Sequence, residues 1–194
     1  MTVVEWTAVG QNVAIIAASC TAIYGISSWR REFIGRRRIE LAEKALALFY
    51  EAKDVIGAIR NPLGHIKEGS SREPSPGETA EMKENLDRAF VASERCNKHI
   101  RLFSRIRSLR YRFVAVFGVA KSKPFGDLLH TIKELRDAAQ DNVEQVRASY
   151  VDPEERKRLR SIMWWRESED PMEPKLNAAI KGIEDVCEPI LRKK

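Results

Sequence analysis

The sequence predicts an all-α protein in which an N-terminal transmembrane helix continues into an antiparallel helical bundle. Apolar residues recur at three- and four-residue steps along most of the chain, and no segment alternates with a period of two. The composition is rich in Ala, Leu, Glu, Lys and Arg, with ten Gly and eight Pro, which is typical of long helices. A stretch without charged residues, between Glu5 and Arg30, has the length of a membrane span.

The predicted span covers residues 8–26, which are mostly apolar. Trp6 and Trp29 bracket it, and the helical rise would place them about 34 Å apart, the spacing of aromatic residues at the two interfaces of a bilayer. We therefore assign residues 1–29 to an N-terminal segment with a transmembrane helix. Residues 30–194 are assigned to a bundle domain.

The apolar stretch has two other interpretations. Residues 17–20 imitate a signal-peptide cleavage site before a cysteine, but a signal peptide carries its basic residues ahead of the apolar run, and this chain has none there. A buried helix of a soluble core is the other interpretation. The length of the uncharged stretch and its flanking residues favour the membrane span over both.

Positive charge follows the span and predicts its direction. Only Glu32 opposes the five arginines there: Arg30, Arg31, Arg36, Arg37 and Arg38. We expect the span to lie in the inner membrane of the cell. By the positive-inside rule, its N-terminus faces outward and the rest of the chain lies in the cytoplasm. We expect these arginines to contact anionic lipid headgroups.

Small residues form a stripe along the span, because Gly10, Ala14, Ala18 and Ala22 recur every four residues. Such a stripe lets a second helix approach closely, which favours a homo-oligomer. Alanine is also common in membrane helices without any such role. Both interpretations stay open at this point.

The spacing of apolar residues predicts five helices. The first continues from the span to about Arg60, and a flexible loop follows near residues 61–75, where Gly and Pro are frequent. The capping-box pattern of residues 75–78 predicts that a second helix starts at Pro76 and runs to Phe117.

A break at residues 122–126 then precedes a third helix that ends near Tyr150. Asp152 and Pro153 predict the start of a fourth helix that includes Trp164 and Trp165. A final helix starts near Asp170.

Residues 95–126 contain no acidic residue. From the helical rise, we expect the second helix to return to membrane level near Leu109 and bring the apolar run 113–120 to the bilayer. The expected membrane-surface residues are Arg110, Arg112, Phe113, Phe117, Lys121 and Lys123. Burial of this run inside the bundle is the alternative. We do not expect nucleic acid as a partner, because no nucleic-acid-binding motif accompanies the charge.

No pattern of known chemistry occurs in the chain. Cys20, Cys96 and Cys187 lack the spacing of a zinc site or a disulfide framework, and the histidines are scattered. We predict no catalytic, cofactor-binding or metal-binding residue, and no cofactor. The predicted function is a membrane-anchored interaction or scaffold module that associates with itself or holds a cytosolic protein partner. The alternative is a cryptic enzyme acting on a membrane-proximal substrate, in which carboxylates of the bundle interior, or His99 and His130, bind a metal.

The first third of the chain carries a resemblance to known sequences. Residues 29–35 (WRREFIG), 41–43 (LAE) and 48–52 (LFYEA) resemble a group of uncharacterised bacterial single-pass membrane proteins with a helical cytoplasmic part. The resemblance implies a bacterial inner-membrane setting. It supplies no activity and no functional residue.

Overall fold

The computed structural model describes residues 3–64, 68–148, 152–165 and 170–192, with side chains described from Ile16 onward. In these residues it contains six α-helices, one short 3₁₀ turn and no strand. The predicted all-α class is therefore confirmed. The chain divides into two compact units, Met1–Leu41 and Ala42–Lys194.

Helix α1 (Val3–Ile59) includes the whole described part of the N-terminal unit. It runs without a break to the predicted end near Arg60. Every described side chain from Ile16 to Ile34 is exposed. Among the residues that the structure describes, no helix combines the length and the apolar character that a membrane crossing requires. The predicted span, 8–26, begins ahead of Ile16, so its first half lies outside the described side chains.

The second unit is a helical bundle, as predicted. Its elements after α1 are α2 (Ala80–Lys98), α3 (Ile100–Phe117), the 3₁₀ turn Ala120–Ser122, α4 (Lys123–Ala148), α5 (Pro153–Met163) and α6 (Glu173–Leu191). Helix α4 is central, because it packs against α2, α3, α5 and α6.

Three aromatic rings join α1, α3 and α4 in the core. The rings of Phe49 and Phe125 meet edge to face, with centroids 4.9 Å apart. Phe113 lies 5.1 Å from Phe125, and all three side chains are fully buried. Such contacts add to the free energy gained by removing the rings from water.

The second predicted helix begins later than its capping pattern indicated. Glu78 does accept a hydrogen bond from the Ser75 N–H at 2.8 Å, as a capping box requires. Gly77, however, has a φ of +84°, which is incompatible with a helix. The residues form a turn, and Thr79 caps α2 by accepting the Met82 N–H at 3.2 Å.

The same predicted helix is also divided in two, which the sequence did not indicate. His99, between α2 and α3, has φ −104° and ψ 12°. Its N–H donates to the carbonyl of Cys96, three residues back, at 3.2 Å. A bond over three residues replaces the α-helical bond over four, so the regular helix is interrupted at this position.

Other predicted boundaries differ in part. Gly118, with a φ of +85°, ends α3, and the break therefore precedes the predicted position at residues 122–126. Pro124 lies in the first turn of α4, where its missing N–H costs little. Helix α5 ends at Met163, so Trp164 and Trp165 follow the helix and do not extend it.

The starts of α5 and α6 agree with the prediction. Asp152 caps α5 by accepting the Glu154 N–H at 3.0 Å. Asp170 accepts the Met172 N–H at 2.8 Å ahead of α6. Short polar side chains before proline thus marked both helix starts.

Candidate anion-binding surface

Helix α3 carries five arginines and no acidic residue: Arg101, Arg105, Arg107, Arg110 and Arg112. All five are exposed. Of these five arginines, only Arg105 has a carboxylate within ion-pair distance in the described part of the chain, that of Glu51 at 3.3 Å. Since both partners are exposed, this pair contributes little to stability, and the positive charge of α3 remains available to an anion.

Three of these arginines line a groove between α1 and α3. Arg101, Arg105 and Arg112 recur near whole turns of the helix, so they form one stripe. Together with Lys44 of α1 they border a cavity of about 600 Å³. We call it the basic groove; its lining residues are Lys44, Ala47, Leu48, Ile100, Arg101, Ser104, Arg105, Ser108, Leu109 and Arg112.

The floor of the basic groove is apolar. Leu48 and Leu109 are buried beneath it, whereas Ile100 is 40% exposed at its edge. The Ser104 hydroxyl donates to the Ile100 carbonyl at 3.0 Å. Ser108 has no hydrogen-bond partner among the described residues, so its hydroxyl is available to a ligand.

The other predicted membrane-surface residues lie in residues 110–123, the end of α3 and the turn that follows, which we call the bundle tip. Phe113 is fully buried against Phe125, so for this side chain the alternative interpretation, burial in the bundle, describes the structure. Phe117 is half-buried, with its ring 4.4 Å from that of Phe113. Val119 is 76% exposed beyond the end of α3. Apolar surface at the tip is therefore smaller than the sequence predicted.

The predicted basic residues of the tip are all on the surface. Arg110, Arg112, Lys121 and Lys123 are exposed. Lys123 forms an ion pair with Asp127 at 2.8 Å on the same helix. The other three have no carboxylate partner in the described chain. The exposed Val119 lies between these cations in the sequence, a composition suited to contact with an anionic surface.

The predicted contact residues of the N-terminal unit are exposed as well: Arg30, Arg31, Arg36, Arg37 and Arg38. Arg36 pairs with Glu32 one turn earlier. Of the small-residue stripe, Ala18 and Ala22 are exposed, whereas Gly10 and Ala14 lie outside the described side chains.

Arg95 is the first residue of the stretch 95–126, which has no acidic residue, but its side chain is buried. Its guanidinium donates to the carbonyls of Ile59, Asn61 and Leu63 at 3.1, 2.6 and 2.9 Å. It also pairs with Glu68 and lies over the Trp164 ring at 5.9 Å. The arginine thus closes the end of α1, where carbonyls lack helical partners. Periodicity alone did not separate it from the exposed arginines of α3.

A second groove lies between α4 and the α2–α3 segment and has a volume of about 780 Å³. We call it the mixed groove, because Arg107, Arg136 and Arg147 border it together with Asp137 and Glu144. The buried thiol of Cys96 also lines it, and burial raises the pKa of this thiol to about 11. The thiol is therefore protonated and a weak nucleophile at neutral pH.

The two histidines of the enzyme alternative are not brought to one site. His130 lines the mixed groove, whereas His99 lines a separate small cavity beside Arg95. Among the described residues, no group of three or more His, Cys, Asp and Glu side chains is placed to hold a metal ion.

Comparisons with protein-family models, curated proteins and solved structures gave no match.

Proposed function

We propose that this protein is a membrane-tethered helical interaction module. Its N-terminal helix spans the inner membrane, and its bundle, on the cytoplasmic side, meets anionic headgroups and assembles with a second copy or with a cytosolic protein. The exposed apolar surface of α1 is the observation that carries the proposal.

This apolar surface belongs to the N-terminal unit. Its exposed large apolar side chains as far as Ile34 are Ile16, Ile23, Tyr24, Ile26, Trp29, Phe33 and Ile34, each 42–70% exposed. No charged residue occurs between Ile16 and Trp29. Soluble proteins rarely leave so continuous an apolar surface in water, and a bilayer would cover it on every side of the helix.

Charge supports the proposed orientation. The five exposed arginines from Arg30 to Arg38 begin where the uncharged stretch ends, and juxtamembrane arginines are retained on the cytoplasmic side. The exposed cations of the bundle, on α3 and at the tip, would then be in the same compartment as the leaflet that is richer in anionic lipids.

The anchor is tested by extraction from native membranes with alkaline carbonate, which removes peripheral proteins. The full chain should stay in the pellet. The double variant Ile16→Arg, Cys20→Arg adds two charges near the centre of the predicted span 8–26, at roughly 3 kcal/mol each, and should move the chain to the soluble fraction.

A matched control places two arginines at exposed positions of α6, away from the basic groove, Asn177→Arg and Ala178→Arg, and should leave the protein in the pellet. Extraction of the unchanged chain by carbonate would contradict the proposal. A reporter fused after Lys194 should show cytoplasmic activity, and periplasmic activity would overturn the orientation.

A further inference from the structure

We propose that the basic groove binds the headgroup of an anionic glycerophospholipid, with the first part of an acyl chain on its apolar floor. The inference rests on the proposed function, because it names the ligand that the bundle would meet at the membrane. It adds a discrete site to what would otherwise be a diffuse attraction of charges.

The charge of the groove selects an anion. Its four ionisable lining residues, Lys44, Arg101, Arg105 and Arg112, are all cations. Only Arg105 has a carboxylate partner in the described chain, Glu51, and that contact is long and exposed. A phosphate would receive charge-assisted hydrogen bonds from the remaining guanidinium groups, for which arginine has the matching planar geometry.

The other lining residues select a lipid over other phosphates. An inorganic phosphate would leave the apolar edge at Ile100 in water. A nucleic acid would need aromatic rings on which its bases could stack, and the described residues that line the groove include none. An acyl chain would cover Ile100 above the buried Leu48 and Leu109. The Ser108 hydroxyl offers one further donor to the headgroup.

The size of the groove agrees with this ligand. A volume of about 600 Å³ lies within the range of small-molecule sites. The mixed groove is larger, but Asp137 and Glu144 on its border would repel a phosphate. It therefore supplies a matched control on the same bundle.

The test uses the full chain, purified in a neutral detergent, so that the result does not depend on how the anchor sits in a bilayer. Short-chain phosphatidylglycerol is titrated, and binding is followed by the rise in unfolding temperature and by native mass spectrometry. Parallel titrations use short-chain phosphatidylcholine, inorganic phosphate and a single-stranded oligonucleotide.

Two triple variants remove the same charge from the bundle. The groove variant is Arg101→Gln, Arg105→Gln, Arg112→Gln, and the control variant is Arg107→Gln, Arg136→Gln, Arg147→Gln. The groove variant should weaken phosphatidylglycerol binding at least about tenfold, because it removes the guanidinium groups that would donate charge-assisted hydrogen bonds to the phosphate. The control variant should change it by less than about threefold, the effect of a reduced net charge alone.

If the two variants lose phosphatidylglycerol affinity equally, the attraction is a diffuse effect of net charge, and the discrete site is overturned. Equal binding of phosphatidylcholine would remove the role of charge. Inorganic phosphate that binds as tightly as the lipid, or an oligonucleotide that binds more tightly through the same arginines, would overturn the lipid assignment. None of these outcomes affects carbonate extraction, which tests the anchor separately.

Discussion

Arg95 shows how one buried cation can hold several chain segments together. It serves as the hydrogen-bond donor for the end of α1 and for the loop that follows, and Glu68 balances its charge. Replacing Arg95 by Met should lower the free energy of unfolding by about 3 kcal/mol, because Glu68 and several carbonyls lose their partner.

Thermal unfolding of the full chain in detergent, followed by circular dichroism, measures this loss. The matched control is Arg101→Met, since Arg101 is exposed and has no carboxylate partner in the described chain. It should change stability by less than about 0.5 kcal/mol. Similar melting temperatures for the two variants would contradict the role of Arg95.

Glu78 gives the stability a defined dependence on pH. Hydrogen bonds from Arg72 and from the Ser75 N–H lower the pKa of Glu78 from its usual 4.5 to about 2. A carboxyl whose pKa is lower in the folded state stabilises it fully above the unfolded value, and this contribution is lost as the pH falls through the folded value. The loss should therefore occur between about pH 4.5 and pH 2.

The variant Glu78→Gln should melt at a lower temperature than the parent at neutral pH, and the difference should disappear as the pH approaches 2. Glu81→Gln serves as the control, because Glu81 is exposed and forms no ion pair in the described chain. A difference between parent and Glu78→Gln that stays constant over this range would count against the assignment. Asp87, which also pairs with Arg72 at 3.2 Å, remains in both proteins.

At the scale of elements, the connection between α1 and α2 depends on two glycines in different ways. Gly69 and Gly77 have nearly equal φ angles, +88° and +84°. A Cβ at Gly69 would lie 1.8 Å from the Asp87 carbonyl oxygen of α2, whereas one at Gly77 would have nothing within 4 Å. Of the two glycines, only Gly69 therefore brings the loop backbone directly against α2.

Gly77→Ala should cost about 1 kcal/mol, the strain of a left-handed backbone. Gly69→Ala should cost about 3 kcal/mol, because the clash adds to the same strain. Thermal unfolding measures both, and limited proteolysis should cut the loop faster in the Gly69 variant alone. If the two variants lose the same free energy of unfolding, the loop can move away from α2 at Gly69 without cost.

The helix boundaries show what the sequence could and could not predict. Asp152 and Asp170 marked true helix starts, because a capping side chain acts on N–H groups within three residues. The pattern at residues 75–78 formed its expected hydrogen bond but not a helix, since Gly77 adopted a left-handed backbone. The interruption at His99 left no local sign.

The candidate site was predictable in composition and not in arrangement. The lack of acidic residues over 95–126 identified α3 as basic. Which arginines face solvent depends on partners distant in sequence, such as the α1 carbonyls that Arg95 binds. Likewise, Phe113 is buried against Phe125, which in turn packs on Phe49, and periodicity cannot identify such neighbours.

At the scale of the whole molecule, the proposed function leaves a choice between a second copy and another protein as the partner. The small-residue stripe of α1 bears on this choice. Ala18 and Ala22 are exposed and lie one turn apart, so both are accessible to another helix. In a bilayer, two helices associate through close packing at small side chains, because lipid offers no hydrophobic drive for association.

The double variant Ala18→Ile, Ala22→Ile should therefore lower the crosslinked dimer fraction in native membranes. The added side chains keep the backbones apart yet remain apolar, so the anchor itself should persist. The control Ala17→Ile, Thr21→Ile adds the same side chains at the same spacing, about 100° around the helix. It should leave the dimer fraction unchanged. An equal decrease of the dimer fraction in both variants would show that added side-chain volume anywhere on the helix prevents association, and not a loss of the stripe. If the parent chain is monomeric, the proposed partner is a cytosolic protein and not a second copy.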